Sequence, residues 1–150
     1  MNDPELEGFV FEGDLIVMRE ERNQLRDQLA QMEMAISDYN QSIMLDSNGA
    51  NAYHDRGVAY FRLGEMDSAV ADFSQAIALD ANSSTSYMWR GMTYYNLSRM
   101  DDALADLNQS IALSPYDSEL YCYRGIIYYD LNQMIQALID FNQSIQLDPS

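Results

Sequence analysis

From residue 50 onward the same side chains return every 34 positions. Tyr53, Tyr87 and Tyr121 are so spaced, as are Gly57, Gly91 and Gly125, and Tyr60, Tyr94 and Tyr128. Leu63, Leu97 and Leu131 follow, then Met66, Met100 and Met134, then Ala69, Ala103 and Ala137. Phe73, Leu107 and Phe141 come next, then Ile77, Ile111 and Ile145. Within each copy the first half places Tyr, Arg, Gly and Tyr at i, i+3, i+4 and i+7, which is one face of a helix. The second half places Ala, then Phe or Leu, then Ile at i, i+4 and i+8, again one face. A short polar step such as Gly64-Glu65 or Ser98-Arg99 separates the halves. Each copy is therefore predicted to be two helices. The glycines carry no side chain where the two would cross, and Pro115 and Pro149 mark helix ends because proline cannot continue the ladder.

An earlier, weaker copy is found by stepping back one period. Leu29, Met32, Ala35, Tyr39, Ile43 and Leu45 keep the pattern, while Arg19, Asn23 and Arg26 replace Tyr, Gly and Tyr. The predicted units run over about residues 16–49, 50–83, 84–117 and 118–150, behind an acidic N-terminal extension, residues 1–15. That extension contains Phe9, Val10 and Phe11, which fit either an irregular tail extending the first helix or a plug entering a groove.

Charge narrows the range of functions. The chain has 150 residues and a formal net charge of −16, and all 8 of its cations are Arg. A chain of ordinary composition would carry roughly eight Lys. Without one there is no phosphate-loop or Schiff-base lysine. The acidity argues against nucleic acid and against an anionic membrane surface. No apolar run approaches the roughly 18 residues that span a bilayer. Cys122 stands alone, which excludes an internal disulfide and fits a reducing, cytoplasmic setting. His54 has no second His with which to share a metal, and no acidic calcium loop is present. The expectation is a chain with no enzymatic activity, no cofactor and no metal.

Period, Gly, second Tyr, Ala, Phe and Pro together resemble the tetratricopeptide repeat, over about nine-tenths of the chain. Departures are Tyr for the usual first Trp, Arg for the usual Leu before Gly, and Ala81 where Pro is expected. The resemblance implies an all-α solenoid of tandem helix-turn-helix units wound as a right-handed superhelix. It further implies that first helices line a concave face where peptides bind.

The Arg before each Gly has a partner in the pattern. Arg22, Arg56, Arg90 and Arg124 are each followed 16 residues later by Asp38, Asp72, Asp106 and Asp140. These are predicted inter-helical pairs, for which the planar guanidinium suits a carboxylate better than Lys would. A row of cations lining a ligand groove is the competing reading.

At 100° per residue, the first-helix face turned away from the repeated core positions is rich in Met and aromatic residues. Mapped onto the family's concave face, the partner-binding candidates are Val58, Phe61, Met88, Trp89, Met92, Tyr95, Tyr123, Ile126 and Tyr129. Asp55, Glu119 and Asp130 form an acidic rim. Packing against a neighbouring first helix is the bland alternative for each. Relatives that grip the C-terminal carboxylate of heat-shock chaperones use Lys and Asn on these helices, and this chain has no Lys. The expected partner is a protein or peptide with basic and apolar residues. In the last unit Met134, Ile135, Leu138 and Ile139 make an apolar end face that implies burial against a further segment, a second copy or a partner, and it suits self-association as a homo-oligomer. The function expected is an interaction module or adaptor. A small secretion-type chaperone and a structural assembly subunit are the alternatives.

Overall fold

The computed structural model describes residues 12–149 and, among them, seven helices and no strand. They are α1 (Glu12–Leu45), α2 (Ala50–Leu63), α3 (Met66–Leu79), α4 (Ser84–Asn96), α5 (Met100–Leu113), α6 (Ser118–Asp130) and α7 (Met134–Leu147). The tail or plug reading of Phe9, Val10 and Phe11 falls outside the described residues. The chain divides into two compact units, Met1–Met34 and Ala35–Ser150.

In the second unit, α2 packs on α3, α4 on α5 and α6 on α7, and successive pairs join through α3 with α4 and α5 with α6. The first helices also touch, α4 meeting both α2 and α6. Phe73, Leu107, Leu120 and Ile127 are the largest apolar side chains buried completely. This is a tetratricopeptide-type helical solenoid.

The tight turn inside each pair depends on one left-handed residue. Gly64, Ser98 and Asn132, one period apart, have φ of 80°, 59° and 57°. The residue after each donates its N–H back to Tyr60, Tyr94 or Tyr128, closing the helix end in a Schellman-like turn. At the other end of each pair, Asp80 accepts from the Asn82 N–H, and Ser83 and Asp117 cap α4 and α6.

The weak first copy does not make this turn. Where a helix pair was expected over residues 16–49, α1 is one continuous helix from Glu12 to Leu45. The position one period before Gly64 is Ala30. Alanine is the best helix former and strongly disfavours the left-handed region, so the helix runs on. Helix also begins at Glu12, inside the acidic N-terminal extension of residues 1–15.

Candidate functional site

The Arg–Asp geometry decides which cations can meet a ligand. In the second unit Arg56, Arg90 and Arg124 each grip a carboxylate with two parallel bonds. Arg90 donates through Nε to Asp106 Oδ2 at 2.7 Å and through Nη2 to Oδ1 at 2.8 Å. Arg56 holds Asp72 at 2.7 and 2.6 Å, and Arg124 holds Asp140 at 2.7 Å through both nitrogens. The third nitrogen reaches back to the preceding pair: Arg56 to Asn40 (2.6 Å), Arg90 to Ser74 (3.0 Å), Arg124 to Asn108 (2.7 Å). Asn40, Ser74 and Asn108 also lie one period apart. Each guanidinium is flanked by the Tyr three before and four after it, with ring centroids 5.5–5.9 Å away. Asp72, Asp106 and Asp140 are buried, and their hydrogen bonds raise the arginine pKa values against the opposing cost of burial. These arginines tie helix to helix and pair to pair, so they are not a row of free cations for a ligand.

The fourth combination is corrected by the fold. Arg22 and Asp38 stand on the same helix, with no turn to fold one against the other. Both are exposed, and neither takes part in an ion pair among the described residues.

The apolar candidates on the first helices fall into two groups. Trp89 meets the edge of Phe61 at 5.2 Å and lies parallel to the buried Phe73 at 6.5 Å. Met88, Tyr95 and Tyr123 pack on the Ala103, Leu107 and Ile127 cluster. The Tyr95 hydroxyl also donates to Asp130 at 2.6 Å, which raises its pKa and links α4 to α6. This group supports neighbouring helices. The second group is equally half-buried except for Tyr129. Val58, Met92 and Ile126 are half-buried at one repeat position of α2, α4 and α6, and Tyr129 is exposed. Asp55, Glu119 and Asp130 are exposed. On α7, Met134, Ile135, Leu138 and Ile139 are 44–73% exposed, an unusually open apolar set for one helix.

Sequence reasoning missed a polar link between α2 and α4. His54 Nδ1 shares a hydrogen bond with Ser86 Oγ at 2.8 Å, and Ser86 Oγ bonds the cap residue Ser83 at 2.8 Å. A Ser–His pair invites a catalytic reading, but Ser86 is buried, out of reach of a substrate. Burial holds the His54 pKa below its ordinary 6.5, with Asp55 opposing weakly. Between those two values the unfolded chain binds a proton that the folded chain does not. His54 therefore contributes stability above pH 6.5 that is lost as pH falls through its folded value. Thermal unfolding of wild type and His54→Gln at pH 7.5 and 5.5 checks this. The wild type should lose stability relative to the variant at the lower pH. Reading the difference cancels the general relief of acid–acid repulsion.

Among the described residues no group of three His, Cys, Asp or Glu side chains could hold a metal ion, and no helix is long and apolar enough to cross a membrane.

None of the curated proteins matches the chain in sequence. Among solved structures, the MamA crystal structure superposes with a TM-score of 0.73 at 24% identity, covering 76% of this chain and 67% of that one. The first tetratricopeptide domain of Spaghetti (RPAP3), bound to the HSP90 peptide SRMEEVD, gives 0.67 at 25% identity, covering 70% and 83%. The second domain of the same protein, with the same peptide, gives 0.64 at 26%, covering 66% and 92%. Tetratricopeptide-repeat family profiles match residues 54–118 and 118–150, and a TPR repeat profile matches residues 28–64. The profiles together cover residues 28–150, the part of the chain that carries the 34-residue period, and the solved structures share its fold: this chain belongs to the tetratricopeptide repeat family.

Proposed function

We propose that the chain is a non-catalytic protein-interaction module whose first-helix layer takes a peptide or amphipathic helix with apolar anchors and basic neighbours. The observation that carries this reading is the repeated half-open position Val58, Met92 and Ile126, extended by Tyr129 and bordered by Asp55, Glu119 and Asp130. Partly exposed Met and aromatic side chains adapt to and anchor apolar segments. Three of the 8 arginines are bound to three aspartates, which leaves five cations against 21 acids elsewhere, a more one-sided balance than 8 against 24. The structural neighbours solved with SRMEEVD support a peptide as the kind of partner. That peptide has three acids in its last four residues, and here it would meet an acidic border with no lysine. Its basic counterpart is the expected ligand.

Fluorescence anisotropy with a labelled Leu/Lys amphipathic peptide, a Leu/Glu counterpart and SRMEEVD tests the proposal. The Leu/Lys peptide should bind, weaken as salt rises, and lose about tenfold or more with Met92→Ser plus Ile126→Ser. Trp89→Ala is a poorer probe, because it also strips a ring from Phe73. Equal binding of the acidic peptides, or no effect of the double substitution, would refute the assignment.

Self-association through Met134, Ile135, Leu138 and Ile139 belongs to the same proposal, supported by their exposure on α7. Asn142 stands there one period after Asn108, which accepts a bond from the following pair's arginine.

A further inference from the structure

The first unit presents an apolar seam that starts ahead of the repeat pattern and shares only its last members, Leu29 and Met32, with the repeated Leu and Met positions. Leu15, Met18, Arg22, Leu25, Leu29 and Met32 follow one another at steps of three and four residues along α1. Leu15, Met18, Leu25 and Leu29 are 43–66% exposed. Alternating steps of three and four are the a and d positions of a heptad, the pattern that turns one narrow stripe toward a partner helix. A helix packing in a globular core has no need of a strict 3.5-residue period. The same steps continue through Ile36, Tyr39 and Ile43, but these are half-buried and belong to the second unit.

Charges beside the seam select the partner and its direction. With Leu15 at a, Arg19, Arg26 and Glu33 take e positions, and Glu21 and Gln28 take g positions. In a parallel pair each g residue faces the e residue five further along the other strand. Glu21 then meets the second copy's Arg26, and the reverse pairing follows by symmetry. An antiparallel pair would bring e residues together and set Arg19 against the second copy's Arg26. All these side chains are exposed. Arg26 lies 3.6 Å from Asp27 on its own helix, both open to solvent, a contact weak enough to exchange. Arg22 sits at a, where Glu21 of the other strand can neutralise it. A single charged a residue lowers stability while fixing register and favouring two strands.

We propose that α1 forms a parallel, in-register two-stranded coiled coil with a second copy of this chain, through Leu15, Met18, Leu25, Leu29 and Met32. Only two and a half heptads are open, so the dimer is weak and depends on concentration. It holds two copies of the second unit in one assembly, letting them engage a repeated or dimeric partner together. The proposal is independent of the first-helix layer and of the α7 face.

Sedimentation velocity over a micromolar concentration series reads the assembly directly. The wild type should move from the 17.2 kDa chain toward twice that mass. In an Ile135→Gln plus Ile139→Gln background, which silences the α7 face, Leu25→Gln plus Leu29→Gln, both exposed and both to a good helix former, should leave helicity unchanged and turn the dimer into a monomer. Arg26→Glu should weaken the dimer, and adding Glu21→Arg should restore it. In a Cys122→Ser background, Leu25→Cys should cross-link on mild oxidation, and Gln24→Cys, which points away from the seam, should not. A wild type monomeric at every concentration overturns the proposal. So does a dimer that, in the Ile135→Gln plus Ile139→Gln background, survives the glutamine pair at residues 25 and 29. Cross-linking at residue 24 in place of 25 overturns the parallel seam.

Discussion

Arg90→Ala is expected to destabilise the protein by about 3 kcal/mol, the lower end of the range for breaking a buried ion pair. The lower end applies because the arginine side chain keeps 19% of its surface exposed, although Asp106 keeps only 8%. The loss has little to do with the attraction between the two charges. It comes from leaving the Asp106 carboxylate without the two donors that replaced its water. Asp106→Ala added to Arg90→Ala should therefore cost little more, since no charge is then stranded. Replacing both partners with apolar residues of similar size should recover much of the loss. Arg90→Lys should behave more like alanine than like arginine. One ammonium cannot hold both carboxylate oxygens and Ser74 while lying between Tyr87 and Tyr94. Urea unfolding of the four corners of the Arg90/Asp106 cycle measures the coupling, and strictly additive losses would show that the pair acts as two independent side chains.

Gly57→Ala carries the second large effect. A Cβ at residue 57 would stand 2.8, 3.0 and 3.2 Å from Cε1, Cδ1 and Cζ of Phe73, so it meets the ring edge along its length. Phe73 cannot swing aside. It is completely buried, with Trp89 parallel to it and His54 on its edge. Overpacking of this kind costs about 1–3 kcal/mol. Alanine returns up to about 1 kcal/mol as the better helix former, so the net loss is expected to be about 1–2 kcal/mol. Gly125→Ala should cost less, although its nearest contact is shorter at 2.7 Å, because Phe141 is only half-buried and can move. The α4–α5 pair suggests a remedy, since Gly91 there faces Leu107 at 3.3 Å, and its nearest would-be contact is the Ala103 carbonyl oxygen at 3.2 Å. Phe73→Leu should accordingly be harmful alone and partly corrective beside Gly57→Ala. Urea midpoints of the single and double variants check the order.

The three helix pairs of the second unit were legible because every structural requirement is written three times. The offset of 16 residues between Arg and Asp was legible for the same reason. The link from each arginine to Asn40, Ser74 or Asn108 was equally periodic, yet it went unread because Asn and Ser on a helix ordinarily signal nothing. The first copy was misread through its matching residues, Leu29, Met32 and Ala35. The informative position was Ala30, which stands where its counterparts Gly64, Ser98 and Asn132 adopt positive φ. Once that turn is gone, Leu29, Met32, Ile36, Tyr39 and Ile43 keep repeat spacing and heptad spacing together. The stripe alone does not distinguish the two.

By itself the sequence determined the repeat, the all-α class, the pairing of helices α2 to α7 and the surplus of negative charge. Each depends on local periodicity, turn chemistry or composition, which neighbours along the chain suffice to specify. The tertiary structure alone decided which Met and aromatic side chains pack on other helices. Trp89 and Tyr123 occupy similar places on their helices as Met92 and Ile126, but the first two rest on residues of other helices. Contacts made across helix pairs depend on how one pair leans on the next, and no pattern within a single helix carries that information. The same holds for His54, whose lowered pKa comes from burial between α2 and α4, an environment that a lone histidine in a sequence does not disclose.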